Sequence, residues 1–169
     1  MGKESKKKKN KAKNKKSINY KIVKETNEMD EVDGDIARVM AILCVDNEEY
    51  MEVTDENLEK YFNYLNENID FSGVVTGREL FRWEGYYVFG PGDRKEYEKL
   101  KKTQPSYTDE YKILSIDGYD HDYGIFVNVR RISDKKKFTL PLADLKAVDK
   151  KSNNYQILDD YSMWFVNYR

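Results

Sequence analysis

The alternation of apolar and polar residues is clearest in the run 125–130, where isoleucine or valine occupies every second position. This period of two predicts a partly buried strand. A polar turn at 133–136 separates it from the run 137–140, so we expect these two runs to form a β-hairpin. Another apolar run, at residues 110–116, predicts the strand that precedes them.

Two segments show the spacing of three to four residues that is typical of amphipathic helices. Residues 54–68 begin with Thr54, a good N-cap, and have acidic residues in the first turn. Residues 153–168 form the second segment. The apolar stripes are Leu58, Phe62, Leu65 and Ile69 in the first helix, and Ile157, Leu158, Tyr161, Trp164, Phe165 and Tyr168 in the second.

The remaining segments are less regular. In residues 36–45, which are nearly all apolar, the β-branched residues at both ends favour a strand over a helix. Residues 71–76 and 79–89 are predicted to be two strands; the aromatic residues of the second suit the core or a binding patch. Shorter elements are predicted at residues 18–23 (a strand), 94–102 (a charged helix or loop) and 141–148 (a helical turn).

These elements together predict an α+β domain over residues 18–169. We expect a twisted antiparallel sheet or a small open SH3-like barrel, with the two amphipathic helices packed against it. A chain of 169 residues is long enough to bury a core of this kind.

Charge is distributed unevenly along the chain. Residues 1–16 contain nine lysines and one glutamate, whereas the whole chain has a net charge of -1. Residues 1–17 therefore predict a disordered tail, which suits either solubility or attraction to RNA, anionic lipid or an acidic partner. The acidic remainder argues against nucleic acid as the ligand of the folded part and favours cations or basic partners.

The side-chain inventory argues against catalysis. His121 is the only histidine and Cys44 the only cysteine, so nucleophilic triads and zinc or copper sites are poorly supported. Cys44 lies in an apolar run and is expected to be buried. Because no apolar run has the length of a membrane span, and the N-terminus lacks the apolar segment of a signal peptide, we expect a cytoplasmic protein.

Two acidic segments remain as candidate binding sites for hard cations. Asp117, Asp120 and Asp122 lie in a glycine-containing stretch, and loops of this composition supply the oxygen ligands that Ca²⁺ prefers. The stretch lacks the EF-hand pattern with its closing glutamate. Glu67 lies at the C-terminal end of the first helix and Asp70 follows it, and a cation there would offset their unfavourable interaction with the helix dipole. The residues alone leave calcium sites and ordinary solvated acidic segments as alternatives.

Three blocks of sequence carry a family resemblance. They are YFNYLNENIDF at residues 61–71, DHDYGIFV at residues 120–127, and LPLADLKAVD at residues 140–149 followed by DDYSMW at residues 159–164. In order and approximate spacing, these blocks resemble the small bacterial calcium-binding proteins of the CcbP type, which do not use EF-hands.

The resemblance implies a protein that buffers or senses Ca²⁺ without catalysis, and it implies that residues 78–104 are an insertion. The acidic positions that match the family are Glu67, Asp70, Asp120, Asp122, Asp159 and Asp160. We add Asp117 from its chemistry alone. His121, which the family also has, is expected to orient a carboxylate or to face solvent, because imidazole is a poor calcium ligand.

Two other functions follow from different features of the sequence. An SH3-like interaction module would bind a protein through the aromatic segment 81–89, and the lysine-rich tail would add charge attraction. Alternatively, the tail alone would associate with RNA or the ribosome.

Overall fold

One antiparallel sheet of five strands lies at the centre of the computed structural model, which describes residues 33–169. The strands are β1 (Val74–Gly77), β2 (Glu110–Asp120), β3 (Gly124–Arg131), β4 (Lys137–Pro141) and β5 (Leu145–Ala147). Their order across the sheet is β4-β3-β2-β1-β5. The predicted tail at residues 1–17 and the predicted strand at residues 18–23 lie outside the described residues.

Five helices accompany the sheet in the described part of the chain. They are α1 (Gly34–Leu43), α2 (Asp55–Asn68), α3 (Gly85–Val88), α4 (Arg94–Leu100) and α5 (Asn153–Asn167), with short 3-10 helices at Glu48–Tyr50 and Leu142–Asp144. The predicted α+β class is therefore confirmed. Between residues 33 and 169 no helix combines the length and the apolar character that crossing a bilayer requires.

The sheet coils strongly but stays open. Strands β4 and β5 occupy opposite edges, although only the 3-10 helix Leu142–Asp144 separates them in sequence. Since a chain advances at most about 3.6 Å per residue, this short connection brings the two edges close together. The edges do not pair with each other, so the sheet is not a closed barrel.

The predicted strands and helices with regular periodicity are confirmed. In β3, Ile125, Val127 and Val129 are buried, as the alternation predicted. Thr54 caps α2 by accepting a hydrogen bond from the backbone N–H of Asn57 at 3.2 Å. Both long helices contribute their apolar stripes to the core.

Aromatic side chains supply much of that core. The rings of Tyr61 on α2 and Trp164 on α5 are stacked, with centroids 4.8 Å apart and planes inclined by 16°. The indole N–H of Trp164 donates to the carbonyl oxygen of Met51 at 2.6 Å. This pairing satisfies the single polar atom of a fully buried tryptophan.

The strand predicted at residues 36–45 is wrong, because most of this run forms α1. Val39 and Leu43, one helical turn apart, are fully buried, and α1 packs against α2 and α5. These contacts override the weak preference of β-branched residues for strands. Cys44, predicted to be buried, is exposed and ends the helix with a φ of 56°.

The strand predicted at residues 79–89 is also wrong. The segment forms turns and then α3, and its backbone is organised by a buried carboxylate rather than by a strand ladder. Glu84, which is fully buried, accepts hydrogen bonds at Oε2 from the backbone N–H groups of Phe81 and Tyr107 at 3.1 and 3.0 Å. Its Oε1 accepts from the hydroxyls of Tyr97 and Ser106 at 2.9 and 2.6 Å.

The structure refines four shorter predictions. Residues 141–148, predicted as a helical turn, contain a 3-10 helix followed by β5. The strand predicted at residues 71–76 begins only at Val74, and the charged segment 94–102 contains the helix α4. The strand predicted at residues 110–116 continues as β2 to Asp120 and so includes part of the predicted acidic loop.

Candidate metal centre

The predicted acidic loop is the tip of the β2–β3 hairpin. Asp120 ends β2, and its Oδ1 accepts hydrogen bonds from the backbone N–H groups of Asp122 and Tyr123 at 2.8 and 3.2 Å. This arrangement is an Asx turn, in which the carboxylate replaces a backbone acceptor. Asp120, Asp122 and the intervening His121 are exposed.

Asp117 lies within β2, at an irregularity in the strand. The pairing with β3 shifts between Ile116 and Gly118, so Asp117 occupies a β-bulge. Its Oδ1 accepts from the Asn128 side-chain N–H at 3.0 Å, and Asn128 Oδ1 in turn accepts from the Thr139 hydroxyl at 2.7 Å. The bulge therefore holds this carboxylate on the exposed side of the hairpin.

Contacts with α5 fix the position of the hairpin. The backbone N–H of Ile125 donates to the hydroxyl oxygen of Tyr161 at 2.7 Å. Gly124 has a φ of 72°, and a Cβ there would lie 2.5 Å from the same hydroxyl oxygen, so a larger residue is excluded on both counts. Burial raises the pKa of Tyr161 well above its ordinary value, so the hydroxyl stays protonated.

The two candidate carboxylates on α5 are already paired with arginines. Asp160 is only 4% exposed and accepts from Arg38 Nε and Nη2 at 2.8 and 2.9 Å, a two-bond pairing. Gln156 Nε2 adds a third hydrogen bond at 3.0 Å. The hydrogen bond to Asp160 raises the pKa of Arg38, so the guanidinium remains charged.

Asp159 is paired more loosely. Its Oδ1 accepts from Arg78 Nη1 at 2.7 Å, and Arg78 Nη2 also donates to the carbonyl oxygen of Leu158 at 3.3 Å. The Asp159 side chain is 46% exposed. Asp160 is therefore available to a cation only if Arg38 moves away, whereas at Asp159 a cation would share the carboxylate with Arg78.

The candidates at the C-terminal end of α2, Glu67 and Asp70, are exposed. Glu67 lies in its last turn. Asp70 Oδ1 accepts from the Ser72 backbone N–H at 2.8 Å, and hydrogen bonding with Ser72 lowers the pKa of Asp70. The backbone of Asp70 forms two hydrogen bonds with the Asn154 side chain, at 2.8 and 2.7 Å. Asp70 therefore lies beside the N-terminal end of α5.

The structure does not unite the seven predicted ligands in one site. Asp70 contacts Asn154 near the start of α5, whereas Asp122 lies near its C-terminal end, where Arg169 Nη1 donates to the Asp122 carbonyl oxygen at 3.5 Å. A helix of fifteen residues is about 22 Å long. Among residues 33–169, no three His, Cys, Asp or Glu side chains are grouped closely enough to hold a metal ion.

The sequence reasoning missed one pair of acids. Asp144 ends the 3-10 helix between β4 and β5, and its pKa is raised by desolvation and then by the negative charge of Glu79; Arg169 partly opposes this shift. Like-charged neighbours of this kind are candidate cation ligands. Their separation in the sequence gave no signal that they would meet.

Comparison with known proteins identifies the part of the chain that matches a calcium-binding family. Residues 93–165 match the family model of CcbP-type proteins, described as calcium binding. This confirms the resemblance found in the sequence for that region. The match covers less than half of the chain. It includes the β2–β3 hairpin, Asp144, Asp159 and Asp160, but neither of the arginines that pair with the α5 acids.

Two solved structures are similar to the chain. One, described as "Calcium binding protein in the calcium-binding form", is 19% identical, has a TM-score of 0.48, and aligns over 83% of this chain and 99% of that chain. The other, the crystal structure of Anabaena CcbP, is 14% identical, has a TM-score of 0.44, and aligns over 73% of this chain and 94% of that chain. No curated protein matches the chain.

Proposed function

We propose that this protein binds Ca²⁺ at the tip of the β2–β3 hairpin, with Asp117, Asp120 and Asp122 as the carboxylate ligands. The observation that carries the proposal is the match of residues 93–165 to a calcium-binding family, because the hairpin lies wholly within the matched region. No reaction is proposed.

The hydrogen bonding of the hairpin supports these residues over the other candidates. Asp120 uses Oδ1 for the turn and leaves Oδ2 for a cation, and Asp122 is exposed beside it. At α5, in contrast, Ca²⁺ would have to compete with the guanidinium groups of Arg38 and Arg78. The three hairpin carboxylates are not grouped closely enough in this structure to hold an ion, so binding would have to draw them together, but it would not have to displace an arginine.

The geometry favours a buffer over a sensor. Calcium takes six to eight oxygen ligands, so these three carboxylates would be completed by carbonyl oxygens and water. A site of this kind is expected to lie at the weak end of calcium affinities. Because Tyr161 already anchors the hairpin, binding would change little beyond the tip.

Calorimetric titration of the whole chain with Ca²⁺, in the presence of Mg²⁺, tests the site. We expect saturable binding that is lost in the double variant Asp120→Asn, Asp122→Asn. Asp159→Asn is the matched control, since it removes one acidic charge from the same family-matched region and should retain binding. Absence of binding, or its loss in the control alone, would overturn the proposal.

Amide chemical shifts distinguish the two roles. A buffer should show calcium-dependent changes confined to residues 117–128. Changes that extend to α1 or α2 would instead indicate a sensor whose core responds to the ion.

A further inference from the structure

Three apolar side chains project from the surface at α3 and the residue after it. Phe89 is 84% exposed, Tyr86 56% and Val88 43%. Tyr86 and Phe89 are three residues apart and so lie on one side of the helical turn. The run 88–92, Val-Phe-Gly-Pro-Gly, contains no charged residue. We call residues 86–92 the apolar tip.

A backbone hydrogen bond and close packing hold the apolar tip in its conformation. The backbone N–H of Gly92 donates to the Tyr86 carbonyl oxygen at 3.2 Å and closes the turn. Packing is tight there, because a Cβ on Gly92 would lie 2.5 Å from the Tyr87 ring. The Tyr87 ring stacks on Tyr97 of α4, with centroids 5.6 Å apart and planes inclined by 17°.

Trp83 and Glu84, which precede the tip, are also fixed by hydrogen bonds. Glu84, immediately before α3, is buried and accepts four hydrogen bonds, as described above. The indole N–H of Trp83 donates to the Pro105 carbonyl oxygen at 2.7 Å. Trp83 and Glu84 are fixed by these hydrogen bonds, and the segment that follows them keeps Val88 and Phe89 exposed to water. Exposed apolar side chains on a rigid support are typical of a surface that contacts an apolar partner.

The charges beside the tip indicate the nature of that partner. A groove along α4 is lined by Asp93, Arg94, Lys95, Glu98, Lys99 and Lys102, four cations against two acids. Arg94 and Lys95 lie in the first turn of α4 together with Glu96, and the helix dipole disfavours cations there. Their position costs helix stability but suits contact with anions next to the tip.

We propose that the apolar tip inserts into the interfacial region of an anionic lipid bilayer, while Arg94, Lys95 and Lys99 contact the phosphate groups of the lipids. Apolar insertion and charge attraction are the two contributions that reversible attachment to a membrane surface combines. A single-stranded nucleic acid is a poorer fit, because it needs open ring faces for stacking. The faces of Tyr87 and Tyr97 cover each other and Val88 has no ring, so only Phe89 and Tyr86 could stack on bases.

This inference does not depend on calcium binding. The tip ends before residue 93, where the family match begins, and lies on a different segment from the β2–β3 hairpin. Either proposal can fail while the other holds.

Co-sedimentation of the whole chain with vesicles tests the inference. We expect binding to vesicles of phosphatidylcholine with phosphatidylglycerol, and much weaker binding to phosphatidylcholine alone. Phe89→Ser should weaken binding about tenfold, since a phenyl ring loses its transfer to an apolar medium. Lys95→Glu should weaken it about fivefold or more, with a strong dependence on salt.

Tyr50→Ser is the matched control, because Tyr50 is 61% exposed but lies outside the tip. It should bind like the unaltered chain. Equal vesicle binding by Phe89→Ser would show that charge alone attracts the protein and would overturn insertion of the tip. Binding of polyuridylate, but not of vesicles, that is lost in Phe89→Ser would assign the surface to nucleic acid instead. Thermal melting confirms that both serine variants are folded.

Discussion

The hairpin acids and the α5 acids lie in the same family-matched region but in opposite surroundings. Asp120 and Asp122 are exposed, and the hydrogen bonds that Asp120 accepts come from backbone N–H groups. Asp159 and Asp160 are held by Arg78 and Arg38, both from outside the matched residues. Identical side chains therefore have different partners according to whether an arginine reaches them.

The difference teaches that an acidic motif in the sequence does not reveal whether the fold already balances its charge. Arg38 is 122 residues distant from Asp160 in sequence. Its contribution becomes visible only when α1 packs against α5. The predictions below test whether the α5 acids serve the fold and the hairpin acids serve binding.

Removal of Arg38 should have the largest effect. Arg38→Ala leaves the Asp160 carboxylate buried without its guanidinium, and we expect the free energy of unfolding to fall by about 2–4 kcal/mol, measured by urea denaturation. Lys60→Ala, which breaks the exposed pair with Glu56, should leave the stability almost unchanged. If calcium restores the stability of Arg38→Ala, Asp160 is itself a cation ligand, and the α5 acids do not differ from the hairpin acids in this respect.

Loss of the Tyr161 hydroxyl should have the next largest effect. Tyr161→Phe leaves the buried N–H of Ile125 without its acceptor, which should cost about 1–2 kcal/mol in urea denaturation and weaken calcium binding by loosening the hairpin. Tyr123→Phe removes an exposed hydroxyl from the same hairpin and should change neither quantity. Unaltered calcium affinity in Tyr161→Phe would show that the anchor does not serve the site.

Asp159→Asn should have a smaller effect. Its pairing with Arg78 is half exposed, and pairs of this kind contribute less than about 1 kcal/mol. Urea denaturation should therefore detect only a slight loss of stability. A loss as large as that of Arg38→Ala would place Asp159 among the residues that hold α5 in position.

The pH response of Asp70 should be the smallest effect. Hydrogen bonding with Ser72 lowers the pKa of Asp70 below its ordinary value of 3.8 in the folded state. Its contribution to stability is therefore present above about pH 4 and is lost as the pH falls through the lowered value. NMR titration of the side-chain carboxyl carbon should show the shift, and Ser72→Pro, which lacks the N–H, should abolish it.

Local periodicity predicted helices and strands correctly in the segments that bury one regular face. Most of the predicted stripe residues of α2 and α5 and the alternating residues of β3 are buried, although Phe62 and Tyr168 are only partly buried. Prediction was wrong for α1, whose helix depends on contacts with distant helices, and for residues 79–89. In the latter segment the Glu84 side chain supplies the acceptors that a neighbouring strand would have provided.

The candidate site was predictable only in part, for a similar reason. Composition identified the hairpin acids because Asp117, Asp120 and Asp122 lie close together in the sequence. The partners that neutralise the α5 acids, and the proximity of Glu79 to Asp144, arise from tertiary packing. No spacing within a single segment indicates them.

The chain has two tryptophans, and their positions give each part of the molecule its own intrinsic fluorophore. Trp164 is stacked on Tyr61 within the core, whereas Trp83 lies below the apolar tip with its indole N–H bonded to Pro105. In a Trp83→Phe variant, emission would report unfolding of the core alone. In a Trp164→Phe variant, the emission maximum would report the polarity around the tip, so one instrument can follow both regions without an added label.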